Sequence, residues 1–182
     1  MKLSSIRISN IRNIDIMELQ LNDGTNTIAK PNRYGKTTIA DSVVFALCGR
    51  LHNGSSDIDS LLPIFNQKAL ASVELTFNDN GNVKTFRKDY AERWITPRAT
   101  TTAVLDGHDT TCYIDGLKIP KVKDYEKGVC DFFNVPDIDT LHALINPRYF
   151  SDKLSWQQRR AIIDRFISKT APSDVFKAEP FT

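Results

Sequence analysis

Thr27-Ile-Ala-Lys-Pro-Asn-Arg-Tyr-Gly-Lys-Thr-Thr-Ile-Ala-Asp-Ser-Val-Val-Phe-Ala-Leu-Cys-Gly49 is the stretch from which the rest of the chain is read. Residues 25–29 have the composition of a short buried strand, and residues 30–35 are rich in turn formers. From Lys36 the apolar residues Ile39, Ala40, Val43, Val44 and Leu47 recur at spacings of three and four, which predicts a helix over residues 36–47. Gly49 is placed to cap it. A helix that starts directly after a tight loop points its first N–H groups and the positive end of its dipole outward, so this strand–loop–helix predicts a phosphate site. Within the pattern G-x-x-x-x-G-K-[ST], Lys36 is placed to reach β/γ-phosphates and the Thr37 hydroxyl to contact a magnesium ion.

The loop departs from that pattern. Lys30 occupies the place of the first glycine and Arg33 that of another loop glycine, while Pro31 removes an N–H. Glycine suits such loops because it accepts positive φ and lets an anion approach the backbone. An arginine held left-handed costs about 1–2 kcal/mol, which a folded domain can absorb. Three outcomes stay open: weak ATP binding with both side chains turned outward, anion binding without productive geometry, or basic side chains filling the phosphate site of a pseudo-ATPase.

Composition sets the frame. The chain has 182 residues, 41% hydrophobic and 25% charged, with a formal charge of +2. One domain of mixed class with a real core follows, and wholesale disorder does not. The charge is too small to argue for nucleic acid by itself. Cys48, Cys112 and Cys130 are scattered without a C-x-x-C pair, which suits a reducing cytosol and no zinc site. His108 and Cys112 are two ligands without a second pair. The opening residues lack a continuous apolar segment, so neither a signal peptide nor a membrane span is expected, and the expected location is the cytoplasm.

Residues 3–9 and 14–21 alternate with period two and predict an antiparallel pair of strands. Residues 72–77 and 82–90, joined across Asn78-Asp-Asn-Gly81, form the clearest hairpin. Residues 91–109 read as a flexible segment, and residues 110–114 and 117–119 as a small hairpin around Asp115-Gly116. Helical spacing then returns in Val122, Tyr125, Val129 and Phe132, and again in Ile138, Leu141 and Leu144, with Asn134 and Pro136 between them. Ser155-Trp-Gln-Gln158 is a capping-box start to a last helix containing Ile162, Ile163 and Phe166. Residues 1–167 form the predicted lobe and residues 168–182 a tail expected to fray.

This order of elements resembles the N-terminal half of the ATPase head in the SMC, RecF, RecN and SbcC group of ABC-type proteins. The opening Met1-Lys-Leu-Ser-Ser-Ile-Arg-Ile-Ser-Asn-Ile-Arg-Asn13 is similar to that group's first strand and its asparagine–aromatic–arginine corner, with Ile11 in the aromatic place. Thr38-Ile-Ala-Asp-Ser-Val-Val-Phe-Ala-Leu-Cys-Gly49 is similar to the helix after its G-K-T. The resemblance implies an α/β P-loop NTPase fold: an ABC-type N-terminal lobe with an antiparallel strand meander followed by helices. It implies ATP and Mg2+ as cofactors, held by Arg12, Asn32, Arg33, Tyr34, Gly35, Lys36, Thr37 and Thr38. Leu144-Ile-Asn-Pro-Arg-Tyr-Phe150 sits where the group has its Q-loop, with Asn146 offered in place of the metal-contacting glutamine. Thr37 and Asn146 are thus the metal candidates.

In that group hydrolysis needs a signature motif and a Walker B strand from a C-terminal half. Neither an apolar run ending Asp-Glu nor a Ser-Gly-Gly signature occurs here, and no heptads do. Two readings follow. One is the ATP-binding lobe of a DNA recombination, repair or defence ATPase, joined by a C-terminal half or second head, by a nuclease subunit, and by DNA bound without sequence preference. The other is an inactive pseudo-ATPase or interaction protein that mimics or docks onto such a head, as a viral or mobile-element inhibitor would.

Overall fold

The computed structural model describes residues 1–29, 31–63, 69–98 and 101–166. Its frame is a six-stranded sheet in the order β2-β1-β3-β4-β5-β6. The strands are β1 (Lys2–Ile11), β2 (Ile14–Gln20), β3 (Ala71–Asp79), β4 (Asn82–Ile95), β5 (Val104–Ile114) and β6 (Leu117–Ile119), and every pairing is antiparallel. The helices are α1 (Lys36–Cys48), α2 (Val122–Phe133), α3 (Ile138–Ile145), α4 (Pro147–Asp152) and α5 (Trp156–Phe166).

Strand alternation decides which face is covered. The register aligns Ile6, Leu75, Phe86 and Ile114 in one row and Ile8, Val73, Lys88 and Cys112 in the next. These rows meet α1 and α2, and Phe77, Phe86, Tyr125, Phe132 and Phe133 interlock edge-on or tilted between sheet and α2. Full burial of a side chain such as Phe86 contributes about 1.5–3 kcal/mol, and the half-buried Phe132 and Phe133 less. The opposite face carries the row Arg7, Glu74, Arg87 and Tyr113, with Arg87 bonded to Asp89 through two nitrogens and stacked 4.9 Å over Tyr113. Polar residues keep that face in water. A smaller cluster of Ala143, Tyr149, Leu154 and Ile162 joins α3, α4 and α5.

The hairpins, α1, its Gly49 cap at φ 66 and the last helix form as their patterns predict. The capping box closes in both directions: the Ser155 N–H donates to Gln158 Oε1 at 2.9 Å, and the Gln158 N–H to Ser155 Oγ at 3.3 Å.

Two expectations are corrected, and one short helix is added. Residues 25–29 form no strand and are exposed throughout. Among the described residues no strand lies alongside them, and an extended segment is buried only when neighbours take its backbone groups. The Asn26 side chain instead closes the preceding turn, bonding the Asn22 N–H and carbonyl at 2.9 Å each. Residues 91–95 and 104–109 are not a flexible segment but extensions of β4 and β5 that run past the end of β3 and pair with each other. Arg93 clamps this ribbon, donating to Asp106 and Asp109 at 2.9 Å each. Finally, residues 147–152 make a short helix, started by a proline at its first position and by the Asn146 side chain accepting from the Tyr149 N–H. The predicted tail lies outside the described residues.

Candidate functional site

The cleft at the mouth of α1 is built from the corner between β1 and β2 upward. Gly35 takes φ 83 and turns the chain into the helix. Glycine is required there twice over, because a Cβ would also sit 2.9 Å from Ile14 Cδ1. Arg33 takes φ 71, the left-handed conformation its side chain disfavours. Its carbonyl is held by the Asn13 side-chain amide at 2.6 Å, so the hairpin corner fixes the loop.

Among the described residues no side chain caps the α1 N-terminus, and no acidic residue lies in its first turn. Its positive end is therefore free to face an anion. The Lys36 ammonium folds back over the loop, donating to the Pro31 carbonyl at 3.2 Å and to Asn32 Oδ1 at 3.5 Å. Thr37 is exposed and Thr38 buried. Together Asn13, Asn32, Arg33, Gly35, Lys36, Thr37 and Thr38 line an open cleft of about 440 Å3. Tyr34 is exposed beside it and lines a neighbouring recess together with Ile16 and Met17 of β2. Lys30 is outside the described residues.

Two predicted site residues lie elsewhere. Arg12 does not line the cleft: its Nη1 donates to Asp41 at 2.6 Å, its Nε to the Ser60 carbonyl at 3.0 Å, and its backbone N–H to the Leu61 carbonyl at 2.8 Å. Asp41, only 1% exposed, also accepts from the His52 backbone N–H at 2.9 Å and contacts His52 Nδ1 at 2.5 Å. A buried carboxylate between two bases is stabilised by charge-assisted bonds, and Arg12 is drawn to it. Asn146 is likewise engaged, its amide donating to the His52 carbonyl and accepting from the Tyr149 N–H. Asp41 and His52 thus tie the β1–β2 corner, α1 and the start of α4 together. Sequence reading missed this link and the role of Asn13, since a single polar residue within a helix or turn carries no pattern.

A magnesium ion fits the cleft only in part. Thr37 offers one hydroxyl, and among the described residues no group of three His, Cys, Asp or Glu could hold a metal. Magnesium keeps several waters and binds through few protein oxygens plus phosphates, so this sparse donor set suits an ion brought with a nucleotide.

A family model described as an AAA domain, AAA_23, matches residues 5–171. This chain belongs to that AAA-domain family. The DNA replication and repair protein RecF of Clostridium botulinum (strain Loch Maree / Type A3) is 36% identical over 59 residues, covering 32% of this chain and 16% of that protein. Two solved structures of the recombination mediator protein RecF in the RecFOR pathway share the fold. The RecF-ATP structure aligns over 97% of this chain and 42% of its own, with TM-score 0.53 and 16% identity. The RecF-ATPrS structure aligns over 68% and 29%, with TM-score 0.52 and 18% identity. This AAA domain therefore has the α/β P-loop fold of an ABC-type ATPase head and corresponds to an N-terminal portion of one. It spans between 16% and 42% of the length of these relatives. Among the described residues no helix is long and apolar enough to cross a membrane.

Proposed function

We propose that this chain is the nucleotide-binding N-terminal lobe of an SMC/RecF-type ATPase that acts in DNA recombination, repair or defence. The observation that carries the reading is the shape of residues 31–37: a left-handed Arg33 and Gly35, an uncapped helix start, and the Lys36 ammonium folded over loop oxygens. A triphosphate entering the cleft would take the N–H groups at the α1 start, and Lys36 would exchange its loop acceptors for β/γ-oxygens. Magnesium, carried in with ATP, would supply charge neutralisation, with Thr37 holding it through its hydroxyl.

Hydrolysis requires a complementary half that supplies a signature motif and an acidic Walker B strand, and a second head or C-terminal half is the proposed partner. A nuclease subunit and DNA bound without sequence preference belong to the same reading, which places the protein in the cytoplasm. The test is titration with a fluorescent ATP analogue and magnesium. Lys36→Ala is expected to weaken binding tenfold or more, and the pure chain to release no phosphate above background. Unchanged affinity in Lys36→Ala would remove Lys36 from the site. No binding by the wild type would leave the inactive, docking reading in its place.

A further inference from the structure

Lys88 stands in a core row whose other members are Ile8, Val73 and Cys112. It is 1% exposed, and among the described residues its Nζ has no hydrogen-bond partner. Its surroundings are the Tyr125 ring at 4.9 Å and the Phe45 ring at 5.6 Å. Gly49 lies against it, close enough that a Cβ there would come within 3.3 Å of Nζ. The flanking thiols supply no counter-charge: burial pushes the Cys48 thiol up to about 12 and raises Cys112 as well. Burial also lowers the pKa of Lys88 itself. Rings stabilise a cation through their faces but accept no strong hydrogen bond, so the amine lacks an oxygen.

A cavity of about 700 Å3 adjoins it, and Phe45, Gly49 and Lys88 are all part of its wall. The cavity lies at the carbonyl end of α1, opposite the phosphate loop, where a cation is favoured. Val122 and Ile138 give it an apolar side. Its lining also carries Glu126, Asp131, Asp137 and Asp139 beside Lys127, an excess of carboxylates that opposes a multiply charged anion. Arg50 and Asp137 are already engaged: Arg50 with Asp139 at 2.8 Å, Asp137 with Arg165 at 2.6 Å.

We propose that Lys88 anchors a binding site for a small monocarboxylic acid with an apolar body, its carboxylate meeting Nζ and its body lying against Phe45, Val122 and Ile138. The site is separate from the phosphate cleft and stands whether or not the chain binds ATP. One carboxylate supplies the missing acceptor and keeps the proton on the amine, while the apolar body displaces water from the cavity.

Calorimetric titration of the full chain with octanoate, octan-1-ol and inorganic phosphate tests it. Octanoate is expected to bind at least tenfold more tightly than octanol, phosphate not to compete with it, and Lys88→Met to lose octanoate affinity tenfold or more. Methionine has a similar length and no charged head to bury. Equal affinity for octanol, competition by phosphate, unchanged octanoate binding in Lys88→Met, or no binding at millimolar octanoate would each overturn the site. Should Lys88→Met fail to fold, the wild-type Lys88 Cε resonance gives the answer. A shift with octanoate and none with octanol supports the anchor, and no shift with octanoate refutes it.

Discussion

Gly35→Ala tests the physical account of the phosphate loop at its narrowest point. Two separate costs meet at this residue. The backbone sits at φ 83, where alanine is strained by about 1–2 kcal/mol relative to glycine. The new Cβ would also lie 2.9 Å from Ile14 Cδ1 and 3.1 Å from Cγ1, and Ile14 is buried with little room to retreat. Displacing a packed side chain by several tenths of an ångström adds about 1 kcal/mol or more. The expected total is about 2–3 kcal/mol, read as a lower urea midpoint with unchanged slope. The second variant, Ile14→Val, removes the Cδ1 atom that makes the closest contact and alone costs about 0.5–1.5 kcal/mol. Combined with Gly35→Ala, it should recover part of the glycine penalty, because the closest contact is gone while the 3.1 Å approach to Cγ1 and the backbone strain remain. Strict additivity of the two changes would show that Ile14 does not press on the loop. A Gly35→Ala protein within about 0.5 kcal/mol of wild type would refute the reasoning altogether.

Three further outcomes follow from the same structure. Asp41→Ala removes the buried partner of Arg12 and His52 and is expected to cost about 2–3 kcal/mol in urea unfolding; a loss below about 0.5 kcal/mol would make the link between corner, α1 and α4 ornamental. His142 is fully buried, among the described residues neither of its ring nitrogens has a hydrogen-bond partner, and burial lowers its pKa from 6.5 to about 4. The unfolded chain therefore takes up this proton first: the contribution is complete above pH 6.5 and drains away toward pH 4, by up to about 3 kcal/mol. His142→Phe, which can keep the stack on Tyr149, should flatten that slope, and equal slopes in both proteins would exclude His142 as its source. Ser155→Ala opens the capping box and should cost about 1 kcal/mol, with faster amide exchange in the first turn of α5 and unchanged exchange in β3.

What could be read from the sequence was whatever local pattern dictates. The Asn78-Asp-Asn-Gly81 turn fixed a hairpin because Asn80 and Gly81 both need positive φ, and both have it. Gly35-Lys36-Thr37 placed a helix start to the residue. Residues 25–29 were misread because an apolar composition reports a preference for burial, while burial itself depends on a neighbour that local sequence does not name. The extension of β4 and β5 was hidden by Pro97 and the threonines after it, whereas the pairing rests on the register and on Arg93 reaching two aspartates across the strands. Helical spacing placed Leu144 in α3, where it lies, but could not tell that its side chain is exposed. The resemblance implied a place for Arg12 near the phosphates; its actual partner Asp41 lies twenty-nine positions away in the chain, and no spacing rule connects them.

The overhang of β4 and β5 gives the molecule reach. Residues 91–95 extend about 17 Å beyond the last rung shared with β3, at about 3.3 Å per residue. A lone two-stranded ribbon is marginal in water, and this one adds to its backbone ladder the exposed ion pairs of Arg93 with Asp106 and Asp109. Surface charges weaken as ionic strength rises, whereas the aromatic core beneath the sheet does not. Brine should therefore soften the overhang while the body of the protein stays rigid, making its stiffness a property of the surrounding medium.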